Sequence, residues 1–170
     1  MKGYLQVYTG NGKGKTTAAI GLAIRATGAG KKIYMAQFVK GMKYSEIKTL
    51  EKFDNIHIEQ FGLKCFIKDK PKPEDIEAAQ KGLEKAKQQM LSGNYDIVIL
   101  DEANIAVFFD LFTIDDLLDV IAEKPDNLEL IITGRYAHER LIEIADLVTE
   151  MKEIKHYYNN GVEARQGIES

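Results

Sequence analysis

Residues 9–17 read Thr9-Gly10-Asn11-Gly12-Lys13-Gly14-Lys15-Thr16-Thr17. Tyr4-Leu5-Gln6-Val7-Tyr8, a short β-prone segment, comes before them. Ala18-Ala19-Ile20-Gly21-Leu22-Ala23-Ile24-Arg25-Ala26, apolar and rich in helix formers, comes after. Strand, glycine loop and helix in that order are the setting of a phosphate-binding loop. Glycines reach positive φ, so successive backbone N–H groups can face one concavity. That concavity opens on a helix N-terminus, which carries free donors and partial positive charge. All nine residues are therefore expected to bind nucleotide. Lys15 would set its charge against the terminal phosphates, and the Thr16 hydroxyl would ligate Mg²⁺. The Lys15 ammonium is expected to be exposed, so its removal should spare the fold. The strict pattern puts Gly six residues before the motif lysine, where this chain has Thr9. The alternative is a glycine-rich turn that binds nothing; Lys-Thr after the glycines favours phosphate.

The chain has 170 residues, 45% of them apolar and 29% charged. That is enough for one domain, residues 1–170, with a full core. A net charge of −3 gives no sign of a general nucleic-acid or membrane surface. Cys65 is the only cysteine, so no internal disulfide can form, in keeping with a reducing cytoplasm. A strand expected from residue 4 leaves no room for a signal peptide, and no apolar run approaches a membrane span.

Further strands are expected at 32–39, 56–61, 95–102, 128–133 and 147–151. Helices are expected at 45–53, from Pro73 to Leu91, at 113–123 and at 138–145. The last of these should turn Leu141, Ile144 and Ala145 inward. Ile97-Val98-Ile99-Leu100 is branched throughout, as in a strand buried on both faces of a parallel sheet. Thr113-Ile114-Asp115-Asp116 has capping-box spacing. Alternating strands and helices predict an α/β fold, a mostly parallel six-stranded sheet with helices on both faces. Ligands of such sheets bind at the carboxyl ends of the strands, where the glycine loop, Asp101-Glu102 and Thr133-Gly134-Arg135 all fall. The polar tail from His156 onward would fold over the site or a partner.

Asp101-Glu102 ends the most apolar strand, which sets hard oxygen ligands for Mg²⁺ beside the loop; the alternative is an acidic helix N-cap. Arg135 would neutralise phosphate charge, or else form a surface ion pair. His57 reads as an ordinary strand residue, while His138 and His156 lie closer to the presumed ligand. The three histidines and one cysteine have no metal-ligand spacing. The residues by themselves therefore reach an Mg²⁺-nucleotide domain and leave its reaction open. A small-molecule kinase or other phosphotransferase and a nucleotide-binding module without chemistry both stay in view.

Several stretches together resemble the P-loop type of ATP:cob(I)alamin (corrinoid) adenosyltransferase. They are Thr9–Thr17, Gln37-Phe38-Val39-Lys40-Gly41, Val98-Ile99-Leu100-Asp101-Glu102, Ile132-Thr133-Gly134-Arg135 with His138, and Ala145-Asp146 with Val148-Thr149-Glu150-Met151. Lys155-His156, Gly161-Val162 and Gly167-Ile168-Glu169 complete the set. The slipped glycine at Thr9 is also how that family writes its loop. The resemblance implies a RecA-like sheet, usually a homodimer, and a separate reductase or flavoprotein that supplies electrons. It implies transfer of the 5′-deoxyadenosyl group of ATP to Co(I) of a corrinoid, with release of triphosphate. ATP is then held in reversed sense, which exposes C5′. Lys15 and Glu102 become the catalytic candidates, and Thr16, Asp101 and Glu102 the metal ligands. Family members commonly carry Phe-Thr-Trp after the third strand, near the corrinoid. This chain has Phe61-Gly62-Leu63-Lys64-Cys65-Phe66-Ile67 and no tryptophan, so Phe66, with Phe61, would stand in. Phe66 as a core residue beneath that loop is the other possibility. Longer members also have an N-terminal segment over the site that is not found here.

Overall fold

The computed structural model describes residues 2–39, 41, 45–62 and 70–169. Phe66, Cys65 and Tyr44 lie outside the described residues. The strands are β1 (Leu5–Thr9), β2 (Ile33–Phe38), β3 (Ile56–Phe61), β4 (Ile97–Asp101), β5 (Glu129–Thr133) and β6 (Leu147–Glu150). The helices are α1 (Lys15–Gly28), α2 (Ser45–Leu50), α3 (Pro73–Leu91), α4 (Ala103–Phe108), α5 (Ile114–Ala122) and α6 (Glu139–Ile144), and a 3₁₀ turn follows at Tyr157–Asn160. The strands form one sheet in the order β3-β2-β4-β5-β1-β6, with every neighbouring pair parallel.

Strand side chains alternate, so β4 serves two cores. Ile97 and Ile99 face α1, where Ala19, Ala23 and Ala26 let the helix lie close to the sheet. Val98 and Leu100 face the opposite layer, built by Ala79, Leu83, Ala86 and Met90 of α3 and Leu117, Val120 and Ile121 of α5. Both faces are thus covered, as a parallel sheet requires. Gly82, inside α3, would cost the helix roughly 1 kcal/mol against Ala. The Phe61 ring explains it: a Cβ there would come 2.5 Å from Phe61 Cγ. Phe61 therefore packs on α3 and beside Phe38, with ring centroids 6.2 Å apart. The Thr113 box forms, its hydroxyl accepting from the Asp116 N–H at 3.1 Å.

Two expectations need correction. Ile144 does not face inward; it is 49% exposed. α6 has only six residues, Leu141 takes its core position, and the chain turns extended at Ala145 before anything covers Ile144. The helix α4 was not anticipated either. It is short, and it starts at Glu102 in the left-handed region with no side-chain cap, so no start signal marks it.

Candidate nucleotide site

β1 delivers its last residue, Thr9, to the sheet's carboxyl edge, and there its hydroxyl accepts from the Ala137 N–H at 3.2 Å. Thr9 thus belongs to the strand, and the first positive φ, 97°, falls at Gly10. The loop lies against the segment that continues β6. Met151 N–H donates to Thr9 O at 2.8 Å, and Gly12 N–H donates to Met151 O at 2.6 Å. A Cβ on Gly12 would sit 2.6 Å from Met151 O, so only glycine fits. Gly14, at φ 115°, turns the chain into α1, which begins at Lys15. Asn11 and Thr17 are exposed, and Thr17 lines the cavity described below.

Lys15 departs from expectation: it is only 7% exposed. Its ammonium donates to Gly10 O and Gly12 O, both at 2.8 Å. The charge sits inside the ring of loop carbonyls and helps hold the loop's shape.

Asp101 is fully buried, and a buried carboxylate needs donors. Oδ1 accepts from Thr16 Oγ1 at 2.9 Å and Thr133 Oγ1 at 2.7 Å; Oδ2 accepts from Gln37 Nε2 at 3.1 Å. Gln60 Nε2 in turn donates to Gln37 Oε1 at 3.1 Å. Thr133 Oγ1 also accepts from the Glu102 N–H at 3.1 Å. One hydroxyl on β5 therefore fixes both acidic residues at the end of β4. Glu102 is held at φ 61°, a conformation that costs a non-glycine residue roughly 1–2 kcal/mol. The cost is met by the packed strand-to-helix turn around it, and Glu102 lines the cavity over the loop.

That cavity measures about 870 Å³, within the range of small-ligand sites. Its floor is Gly12–Thr17. One side is Ser45, Glu46 and Thr49 of α2; the other is Glu102, Ile105, Phe109 and Arg135. Arg135 is exposed at the rim, following Gly134, whose carbonyl accepts from Asn104 Nδ2 at 3.1 Å. The tail forms the last wall through His156, Gly167, Ile168 and Glu169.

Glu169 is fastened to the loop. Lys13 Nζ donates to Glu169 Oε1 at 2.6 Å and to Tyr157 Oη at 3.0 Å, and the Tyr157 hydroxyl donates to Glu169. Arg165 Nη2 donates to the same Oε1 at 3.2 Å. The Arg165 guanidinium, then Lys13, then the Tyr157 hydroxyl hold the Glu169 carboxyl well below the usual carboxylate range. No local pattern in the sequence ties Glu169 to the loop, since it lies 156 residues from its partner Lys13.

His57 is a β3 residue stacked on Tyr34 at 5.7 Å and bonded to Glu59, away from the cavity. His138 caps α6, its Nδ1 accepting from the Arg140 N–H at 3.2 Å. Only His156 of the three lines the cavity. Among the described residues no three His, Cys, Asp or Glu side chains gather to hold a metal. Mg²⁺ needs no such cage; it takes one or two carboxylates, a hydroxyl and phosphate oxygens. Thr16, Glu102 and, behind Thr16, Asp101 form a donor set of that kind.

Residues 1–170 match the family described as ATP:corrinoid adenosyltransferase BtuR/CobO/CobP. A corrinoid adenosyltransferase of Escherichia coli K12 is 34% identical over 168 residues, 99% of this chain and 86% of that protein. One from a Sinorhizobium species is 38% identical over 172 residues, 99% of this chain and 80% of its own length. Salmonella typhimurium LT2 has a relative at 32% identity, with 99% and 86% covered. No described helix is long and apolar enough to cross a membrane.

Proposed function

The chain belongs to the ATP:corrinoid adenosyltransferase family, and from that premise we propose how its residues carry the reaction. The corrinoid's Co(I) attacks C5′ of ATP. A cobalt–carbon bond forms, the C5′–O bond breaks, and triphosphate leaves with the bonding electron pair. The nucleophile arrives with the substrate, so no protein base is required; the protein contributes position and charge. The loop amides other than that of Gly12, which is bonded to Met151 O, and the Lys15 ammonium hold the triphosphate and take up the charge it gains on leaving. Thr16 and Glu102 would hold Mg²⁺, which would neutralise phosphate charge, while Asp101 orients the Thr16 hydroxyl from beneath. Arg135 closes on phosphate from the rim. Phe66 takes the corrinoid-facing role on sequence order alone. A homodimer, an external reductase or flavoprotein, and a cytoplasmic setting complete the reading.

The observation that carries it is the hydrogen bond from the loop's Thr16 to Asp101 beneath a nucleotide-sized cavity that Thr16 and Glu102 both line, in a chain of this family. Incubation with Mg²⁺-ATP and chemically reduced cobalamin tests it. The corrinoid spectrum should shift to the adenosylated form, with stoichiometric triphosphate and no ADP. ADP as the product would overturn it.

A further inference from the structure

A second cavity, of about 340 Å³, adjoins the loop at Gly12 and Lys13. Its wall carries Lys13, Lys152, Lys155, His156 and Tyr157. Gly12, Lys13 and His156 line both cavities, so this annex adjoins the nucleotide site. The wall is tied to the phosphate loop itself. Gly12 donates to Met151 O, and a Cβ on Gly12 would come 2.9 Å from the Lys152 carbonyl. Lys152 thus follows directly after the residue that pins the loop.

The charge here runs against that of the whole chain, which is −3. Lys13 is paired with Glu169. Among the described residues Lys152 and Lys155 have no carboxylate partner, and the one acid of the wall, Glu153, accepts from Asn159 Nδ2. His156 Nδ1 accepts from the Tyr158 N–H at 3.0 Å, which leaves Nε2–H as the donor of the neutral ring. Cations without counter-charge and a ring donor, set beside a phosphate loop, suit an oxyanion with several acceptor atoms.

We propose that the annex binds one phosphate group beyond those the loop holds. It receives the far end of the nucleotide's phosphate chain and, once the C5′–O bond has broken, the end of the released triphosphate. This rests on the reading that ATP lies in the loop. The phosphodiester of a corrinoid's nucleotide tail has the same chemistry, and the test separates the two sources.

Lys152 and Lys155 are both exposed, so Lys152→Ala/Lys155→Ala should keep the parent melting temperature. Calorimetry at fixed ionic strength with Mg²⁺ would compare inorganic triphosphate with pyrophosphate. Triphosphate affinity should fall roughly tenfold, the scale of one charge-assisted hydrogen bond, with pyrophosphate unchanged. The Lys152→Arg/Lys155→Arg variant should keep both affinities. Unchanged triphosphate with a raised apparent KM only for corrinoids that carry the phosphodiester would keep the phosphate site and assign it to that source. Equal weakening of triphosphate and pyrophosphate, or no change in any arm, would overturn the annex. A parent chain that binds no triphosphate at all would overturn the ATP reading as well, which separates the two failures.

Discussion

At Lys15 one side chain does two things. Its ammonium caps the Gly10 and Gly12 carbonyls, so it shapes the loop as well as charging it. Lys15→Ala should therefore abolish Mg²⁺-ATP binding and also cost about 1–3 kcal/mol, because two inward carbonyls lose a charged donor. Calorimetry and thermal melting check the two halves; unchanged ATP affinity would remove Lys15 from the site. This double role was not legible in the sequence, since a motif states which residue is present and not where its ammonium rests. The Thr16–Asp101 pairing was legible, because a branched strand ending in carboxylates has one place to go beside the loop. Phe66 gives the second test at this scale. Cob(II)alamin keeps an axial ligand in water, and an aromatic side chain pressed on the cobalt face would exclude it. Phe66→Ala should then lose the spectral signature of four-coordinate Co(II) at unchanged ATP affinity and stability. A core role would instead cost about 3–5 kcal/mol, seen as a lower melting temperature with the Co(II) spectrum intact. Phe61 is the weaker stand-in, since its ring is spent against Gly82 and Phe38.

Among the elements, the tail was the least readable. Helices and strands announce themselves through periodicity, and α3 does so from Pro73 to Leu91. The tail has no period; it is held by Glu169, Lys13, Tyr157 and Arg165. Such a cluster leaves no local pattern, so the sequence says only that the tail folds over the site or a partner. Its pH response follows from the charges. Arg165, Lys13 and Tyr157 depress the Glu169 carboxyl, so its contribution is present above the unfolded value near ~4.3 and is lost only as pH falls through a folded value far below it. Glu169 and Tyr157 raise Lys13, whose contribution is present below its unfolded value near ~10.4 and is lost as pH rises through a higher one. Between those limits the tail should stay closed. Limited proteolysis of the segment after His156 should be flat with pH across the neutral range, and Glu169→Gln should be cleaved faster throughout. A parent chain whose tail opens between pH 5 and 8 would contradict the assignment.

For the whole molecule, the sheet order β3-β2-β4-β5-β1-β6 settles which contacts are near and which are far along the chain. The fold class was readable because the strands and the helices other than α4 carried their own local signals; the order was not, since pairing between parallel strands leaves no mark on either one. β2, β3 and β4 pair among themselves, whereas β1 pairs only with β5 and β6. The Leu5 N–H bonds to Asp146, 141 residues on. Closing so long a loop is slow relative to nearer pairings. During refolding, pulsed hydrogen exchange should protect β2 and β4 amides before those of β1, and simultaneous protection would refute this. The bond from Gly12 to Met151 carries that order into the life of the chain. On the ribosome the phosphate loop is translated early, yet the residues that pin it are translated more than a hundred positions later. A half-made chain therefore carries its nucleotide motif written out in full but lacks the Met151 backbone to which the finished loop is bonded.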